Sequence, residues 1–465
     1  MTNALRIAEL PAGNHGGLIG VALADGPPQA EGLAFDAVAD WGAVAVVTVT
    51  ETDALARDRI SGIGEAVRTR FMEWHPLPLG DAAGPDAAFE AAWPRHSARL
   101  RSVIGAGNRV LIHGQAGMVA ARVLVEMGTD PEAAIAAVSR VGDPRVLETG
   151  AWQAWVREGR RPTSGPPDGT GARDRAVGAL LGLAVGDAVG TTLEFSAKPA
   201  RAVLSDMVGG GPFGLEAGQW TDDTAMALAL CDSLTAHPDL DPGDLMRRFV
   251  SWHRQGTYSC TGRCFDIGAT TATALHRFER TGEPFAGSDD PRTAGNGSIM
   301  RLAPVALRHW RDPAAMLRIA RDQSRTTHAA PEVIASCEIL ADLLAASIRG
   351  TTLPDLVASE AAGRVRGFRV GQVRHEVRGT GYVVASLHAA LWAVSRTSTV
   401  RDAVLLAANL GEDADTTAAV AGQIAGGLYG AEGIPDAWRR RLAWGERIER
   451  VAGALFDAGS DRPAA

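Results

Sequence analysis

Cysteine is scarce in this 465-residue chain: the four present are Cys231, Cys260, Cys264 and Cys337, with none before them. They form neither a CxxC pair nor a disulfide framework, which suggests a reducing compartment. Positive charge is also short. A net charge of −8, with no basic run to offset it, argues against a general nucleic-acid binder. Long apolar runs are missing too, since the most apolar stretch, residues 176–189, is interrupted by Asp187 and is too short to cross a bilayer. The opening MTNALRIAELPAG lacks the basic-then-apolar pattern of a secretion signal. The expectation is a cytoplasmic protein with no membrane partner.

What remains is globular. Apolar residues make up 46% and charged residues 22%, and the length exceeds one ordinary core, so two domains are expected. In the first third, residues 43–50 (AVAVVTVT) and 109–113 (RVLIH) read as buried strands. Residues 88–104 and 118–127 have helical spacing, and Asp130-Pro131 opens another helix. Strand–turn–helix units of this kind predict an α/β domain with a parallel sheet over residues 1–156. Residues 157–172 (REGRRPTSGPPDGTGA) are rich in Pro, Gly and Arg and read as a linker.

Residues 173–465 change character to alanine-rich helices, predicting an all-α domain. Helical patterns cover residues 224–234, 245–254, 331–346, 383–394, 403–408 and 418–428. Gly178, Gly182, Gly186 and Gly190 recur every fourth residue. Each costs a helix about 0.5–1 kcal/mol relative to alanine, which makes sense if a second helix backbone must come close.

Two clusters carry the candidate chemistry. Thr221-Asp222-Asp223 and Asp413-Ala414-Asp415-Thr416 each precede an apolar helical run, with no histidine beside them. Acids at such positions ordinarily cap the helix and meet its dipole. Two such sets together, though, form an oxygen-only donor list suited to Mg²⁺ or Mn²⁺ rather than Zn²⁺. The reading is that they meet around a binuclear metal site.

The motifs GDAVGTTLEF, WTDDTAMALAL, GRCFDIGATT, AGNGSIMRLAPVA, TTHAAPE, TGYVVASLHAALW and GEDADTTAAVAGQIAGGLYG, in that order, closely resemble the ADP-ribosylglycohydrolase family. The resemblance spans residues 174–457. It implies hydrolysis of the bond between ADP-ribose and an acceptor, either a protein side chain such as arginine or a small-molecule conjugate. It also implies two Mg²⁺ or Mn²⁺ ions held by Thr221, Asp222, Asp223, Asp413, Asp415 and Thr416. Glu194 would stand in a mobile loop that gates the metals, and Asp266 would face the reacting ribose as a base. On the substrate side it places Asn296, Gly297 and Ser298 at the pyrophosphate, with His328 nearby and Tyr382 under the adenine. Each has a plainer alternative: a turn, a packed histidine, a core aromatic. Ala269 and Glu412 depart from the family pattern, where asparagine and glycine are frequent. A non-catalytic ADP-ribose binder or structural protein of the same fold is the alternative.

Residues 5–156 resemble the dual-specificity/tyrosine phosphatase family, through the WHPLPLGDAAGPD segment, the VLIH strand and the AGMVAARVLVEMG helix. That chemistry needs a cysteine in a phosphate-holding loop between strand and helix, with an arginine before the helix. Here Gly114 follows His113, the turn is short, and no cysteine occurs in the region. Asp81 matches the position of the general acid, but an acid without a nucleophile cannot run the two-step reaction. The reading is a degenerate phosphatase-like module.

Overall fold

The computed structural model describes residues 6–23, 35–51, 58–79, 84–114, 116–141, 150–160 and 169–460. Asp81 and residues 161–168 of the expected linker lie outside them. By contact the chain divides into two units. One comprises Met1–Pro166, Val370–Val373 and Ser395–Ser398; the other Pro167–Arg369, Arg374–Val394 and Thr399–Ala465.

The first unit is built on a five-stranded sheet in the order β1-β2-β5-β3-β4. The strands are β1 (Arg6–Ala12), β2 (Gly17–Leu23), β3 (Ala43–Glu51), β4 (Glu73–Leu79) and β5 (Arg109–Gly114). β2, β5, β3 and β4 run parallel, but β1 pairs antiparallel with β2. The expected parallel sheet thus has one antiparallel edge strand. β1 and β2 are separated by a tight glycine turn, and so short a connection cannot make the crossover a parallel pair requires. Helices α1 (Phe35–Asp40), α2 (Asp58–Arg68), α3 (Ala87–Gly105), α4 (Ala116–Glu126), α5 (Pro131–Val141) and α6 (Gly150–Arg157) complete the unit. Strand alternation divides its core in two. Val47, Val49, Val110 and Ile112 join Phe89, Val119 and Trp152 on one face, while Val46 and Leu111 join Phe35, Ile63 and Val67 on the other.

All regular elements described in the second unit are helical. They begin with α7 (Gly169–Gly190), α8 (Asp222–Ala236), α9 (Pro242–Gln255), α10 (Ala269–Thr281), α11 (Ala303–His309) and α12 (Pro313–Arg325). There follow α13 (Pro331–Ile348), α14 (Leu353–Val357), α15 (Glu360–Gly363), α16 (Val383–Ser395), α17 (Val400–Ala408), α18 (Ala414–Tyr429), α19 (Asp436–Arg441) and α20 (Gly445–Ser460). α7 starts inside the stretch read as linker. Extended through Leu193, it is long and apolar enough to cross a membrane, contrary to the reading of residues 176–189 as too short, but it is mostly buried among the other helices. α10, α12 and α20 escaped the sequence reading because their exposed faces are rich in Arg and other polar residues, leaving only a narrow apolar stripe.

The glycine stripe is what places the site. α7 and α18 pack backbone to backbone along it. A Cβ on Gly182 would lie 2.1 Å from the carbonyl oxygen of Gly422, and one on Gly422 would lie 2.0 Å from that of Gly182. Gly178 meets Gly426, Gly186 meets Ala418 and Gly190 meets Ala414 in the same way. No side chain fits there. This register brings the end of α7, with Asp187, and the Glu194 turn beyond it beside the start of α18 with Asp415.

Candidate active site

Helix α8 begins at Asp222 and α18 at Ala414, and both N-termini give up the usual cap: neither Thr221 nor Asp413 makes a side-chain cap bond to its own helix. At α8 the work is done by Asp187 of α7. One carboxylate oxygen accepts from the Thr221 amide (2.9 Å) and hydroxyl (2.9 Å), the other from the Thr224 amide (3.0 Å) and hydroxyl (2.6 Å). Asp222 and Asp223 are thereby freed from capping.

The released oxygens converge. The Thr221 hydroxyl lies 3.4 Å from Asp223 Oδ2 and 3.3 Å from Asp415 Oδ2, and the Thr416 hydroxyl 3.4 Å from Asp223 Oδ2. Asp415 Oδ1 accepts the Thr416 amide at 2.7 Å. Oxygens of Glu194, Asp413 and Asp415 lie within 4.8 Å of one another. Asp266, at a positive φ of 60°, brings its carboxyl to Glu194 and Asp415. Asp223 and Asp415 are almost wholly buried, and so is Glu194 at 5% exposure, so it is not a surface residue.

So many buried acids cannot all carry their charge. Two unit charges 4 Å apart repel by about 4 kcal/mol at an effective dielectric of 20. A helix N-terminus returns only about 0.3–1 kcal/mol per carboxylate. Burial, reinforced by neighbouring carboxylates, pushes Glu194 up to about 9 and Asp266 to about 7. Burial lifts Asp187 to about 6 against its four hydrogen bonds. Asp222, Asp223 and Asp415 are held well above the carboxylate range by burial and mutual repulsion, and burial raises Asp413. Protons or cations must make up the balance. The donor set suits a hard cation: Asp223 Oδ1 and Glu194 Oε2 are buried with no hydrogen-bond partner, and every converging atom is oxygen.

Beside the acids lies the Gly295–Arg301 loop. Asn296 Nδ2 donates to Asp413 Oδ2 at 2.5 Å and to Ser386 Oγ at 3.2 Å, so its amide orients a carboxylate. Gly295 bridges to Tyr382 across an isolated antiparallel pair. Tyr382 is 38% exposed, so it is no core aromatic, and its hydroxyl donates to Glu332 at 2.6 Å. His328 is buried beneath the loop: a Cβ on Gly297 would lie 2.8 Å from its ring, and burial lowers its pKa to about 3. It is neutral and supports the loop from below. The Ser298 side chain is also fully buried, bonded to Ser324 and Cys337. The loop does not lead directly into a helix, because turns intervene before α11 begins at Ala303.

Residues 168–464 match the family model for ADP-ribosylglycohydrolase. The chain belongs to the ADP-ribosylglycohydrolase family. It is 46% identical over 293 residues to an ADP-ribosylarginine hydrolase of Pseudomonas putida, covering 62% of this chain and 79% of that one. It is 35% identical to the ADP-ribosyl-[dinitrogen reductase] glycohydrolase of Rhodospirillum rubrum, covering 62% of this chain and 97% of the relative. Among solved structures, an "ADP-ribosylglycohydrolase-related protein complex" aligns at TM-score 0.55 and 38% identity, covering 62% of this chain and 99% of its own.

Within this glycohydrolase domain two contributors escaped the sequence reading. Asp187 registered only as the break in an apolar stretch; a lone carboxylate in an apolar helix was the available signal. Arg301 is fully buried, with the Phe249 ring 4.6 Å from its guanidinium. It donates to Gln323 and to Thr327 Oγ1 (2.9 Å), which in turn meets His328 Nδ1 at 2.9 Å. Glu412, which departs from the family pattern, directs its added charge outward, to Arg378 at 2.6 Å.

Proposed function

We propose that the chain is a divalent-cation-dependent hydrolase that releases ADP-ribose from an ADP-ribosylated protein, with arginine as the modified side chain. The observation that carries this reading is the meeting of the GDAVG, WTDDT, FDIG and GEDADTT segments in one buried oxygen-only cluster with orphaned carboxylate oxygens. The names of its relatives point the same way.

In this reading Thr221, Asp222, Asp223, Asp413, Asp415 and Thr416 hold two Mg²⁺ or Mn²⁺ ions. Such ions, when bound, polarise water and the ribose hydroxyls. Asp187 fixes Thr221 and the start of α8, and Asn296 fixes Asp413. Asp266 takes the proton from the attacking water as oxygen adds to the anomeric carbon. The bond from that carbon to the acceptor nitrogen breaks through an oxocarbenium-like state, the electron pair leaving with the nitrogen, which is then protonated. Glu194, hydrogen-bonded to Asp266, closes the site from the side of α7. Backbone amides of Gly297 and Ser298 face the diphosphate, and Tyr382 the adenine. A panel of arginine-, serine- and O-acetyl-linked ADP-ribose substrates, with and without Mg²⁺, tests the reading. Turnover of the arginine-linked member only with the cation is expected, and full turnover in a metal-free preparation overturns it.

For the first unit we infer a phosphatase-like module without phosphatase chemistry. β5 ends at Gly114, where φ is 87° and a Cβ would lie 2.0 Å from the Val49 carbonyl oxygen, and α4 starts at Ala116. So short a connection has no room for a loop that wraps a phosphate. His113 is buried against Thr48 at 2.8 Å. The four cysteines, free and all in the second unit, fit a reducing compartment.

A further inference from the structure

Three phenylalanines form a row at the edge of the carboxylate cluster. Phe195 directly follows Glu194 and Phe265 directly precedes Asp266. Phe213, from the glycine-rich segment between α7 and α8, joins them: its ring centroid is 6.5 Å from that of Phe195 and 5.2 Å from that of Phe265. Those are distances of interacting aromatic pairs, so three separate segments make one surface. The planes meet at 74° and 57°, which leaves ring faces uncovered by their neighbours.

Core packing does not explain the row. Phe195 is 70% exposed, the most exposed large hydrophobic side chain among the described residues, and Phe213 and Phe265 are half-buried. Phe195 also sits at a φ of 59°, a strained conformation for a bulky aromatic. Two reciprocal backbone bonds hold it there: Phe195 N to Glu412 O at 2.6 Å and Glu412 N to Ser196 O at 2.7 Å. Glu412 is itself at a φ of 58°. The backbone is constrained to keep an aromatic ring in water, next to a carboxylate of the site.

The occupant follows from charge and shape. Ring faces are electronegative, so they attract a cation and disfavour the diphosphate. A guanidinium is planar and stacks on aromatic faces, and it stays positive when one nitrogen carries a ribose. In the reading above the nucleotide takes the Gly295–Arg301 loop, which meets the cluster at Asp413. We propose that Phe195, Phe213 and Phe265 form the acceptor-side subsite and stack on the guanidinium of the ADP-ribosylated arginine. This rests on the glycohydrolase reading above and adds how that acceptor is selected.

The test uses the full chain with Phe213→Leu and Phe265→Leu together, which keeps apolar bulk and removes two ring faces. Steady-state kinetics on arginine- and serine-linked ADP-ribosyl peptides are compared with calorimetric binding of ADP-ribose. The KM for the arginine-linked peptide should rise about 5–30-fold, with ADP-ribose affinity changed by less than about twofold. Tyrosine at both positions should restore the wild-type KM. An unchanged KM overturns the proposal, and so does an equal loss of ADP-ribose affinity, which would put the nucleotide on the rings. If the wild type cleaves only the serine-linked peptide, the glycohydrolase reading stands and the subsite falls. A wild type that cleaves neither peptide and binds no ADP-ribose overturns both.

Discussion

Asp241 and Asp413 each precede a helix in the same unit, and the fold puts them to opposite uses. Asp241 turns back on α9 and accepts the Gly243 amide at 2.8 Å. Asp312 and Thr399 do the same for α12 and α17, each at 3.0 Å. Thr221 and Asp413 make no such bond. A cap is worth about 0.5–2 kcal/mol, so a helix start that forgoes it has its oxygens engaged elsewhere. At α8 the loss is offset by Asp187, which reaches over from α7 to accept the Thr224 amide that a cap would have bonded. The lesson is that composition at a helix start does not separate a cap from a ligand. The direction of the side chain does.

The contrast can be tested most sharply by removing the cation. Treatment with EDTA should abolish ADP-ribosyl-arginine turnover and leave far-ultraviolet circular dichroism unchanged, with activity returning on addition of Mg²⁺ or Mn²⁺. Structure that disappears with the activity would mean the acids serve mainly to hold the helices.

Next in size is Asp415→Asn. Changes in residues that merely orient a ligand cost about 10–100-fold, so losing a ligating carboxylate should cut turnover at least that much. The fold should persist, because α18 keeps its apolar face and the metal-free cluster loses one like charge. A variant that melts early yet turns over normally would make Asp415 a helix-start residue of the Asp241 kind.

A third consequence concerns pH. Glu194, Asp266 and Asp187 have folded-state values raised to about 9, 7 and 6. Their protonated forms therefore favour the folded state. That contribution is complete below the ordinary carboxylate range and is lost as pH rises through the raised values. The melting temperature of EDTA-treated protein should fall from about pH 5 to about pH 9, and saturating Mg²⁺ should flatten the slope. Parallel melting curves with and without Mg²⁺ would show that no cation neutralises the cluster.

The smallest effect belongs to the ordinary cap. Asp241→Ala should lower stability by about 0.5–2 kcal/mol in chemical denaturation and leave turnover per folded molecule unchanged. A large loss of turnover would put Asp241 on the same footing as Asp413.

Much of the scaffold was legible because its periods are local. The Val/Ala alternation of residues 43–50, the VLIH strand and the apolar repeats of α13, α16 and α18 each announce an element within a few turns of chain. The β1–β2 hairpin was missed because RIAELPA and GLIGVAL carry Pro and Gly and few β-branched residues, and its sign of pairing depends on a turn rather than on a pattern. α10 and α12 were missed because their apolar stripes are narrow. In the site, the two Thr/Asp clusters stood out by composition. Arg301 did not, since a buried arginine without a carboxylate partner cannot be told in sequence from a surface one.

The sequence by itself determined which atoms were available: oxygen donors in two clusters, a glycine every fourth residue on one helix, and no cysteine where a phosphatase would need one. Those are facts of composition and spacing, and they survive any arrangement of the chain. Only the tertiary structure decided what the donors do. The contact of α7 with α18 along the glycine stripe carries Asp187 and Glu194 to Asp222, Asp223, Asp413 and Asp415, residues distant in the chain. Burial then turns ordinary carboxylates into groups that must find a proton or a cation, because low dielectric magnifies the repulsion that water would have screened.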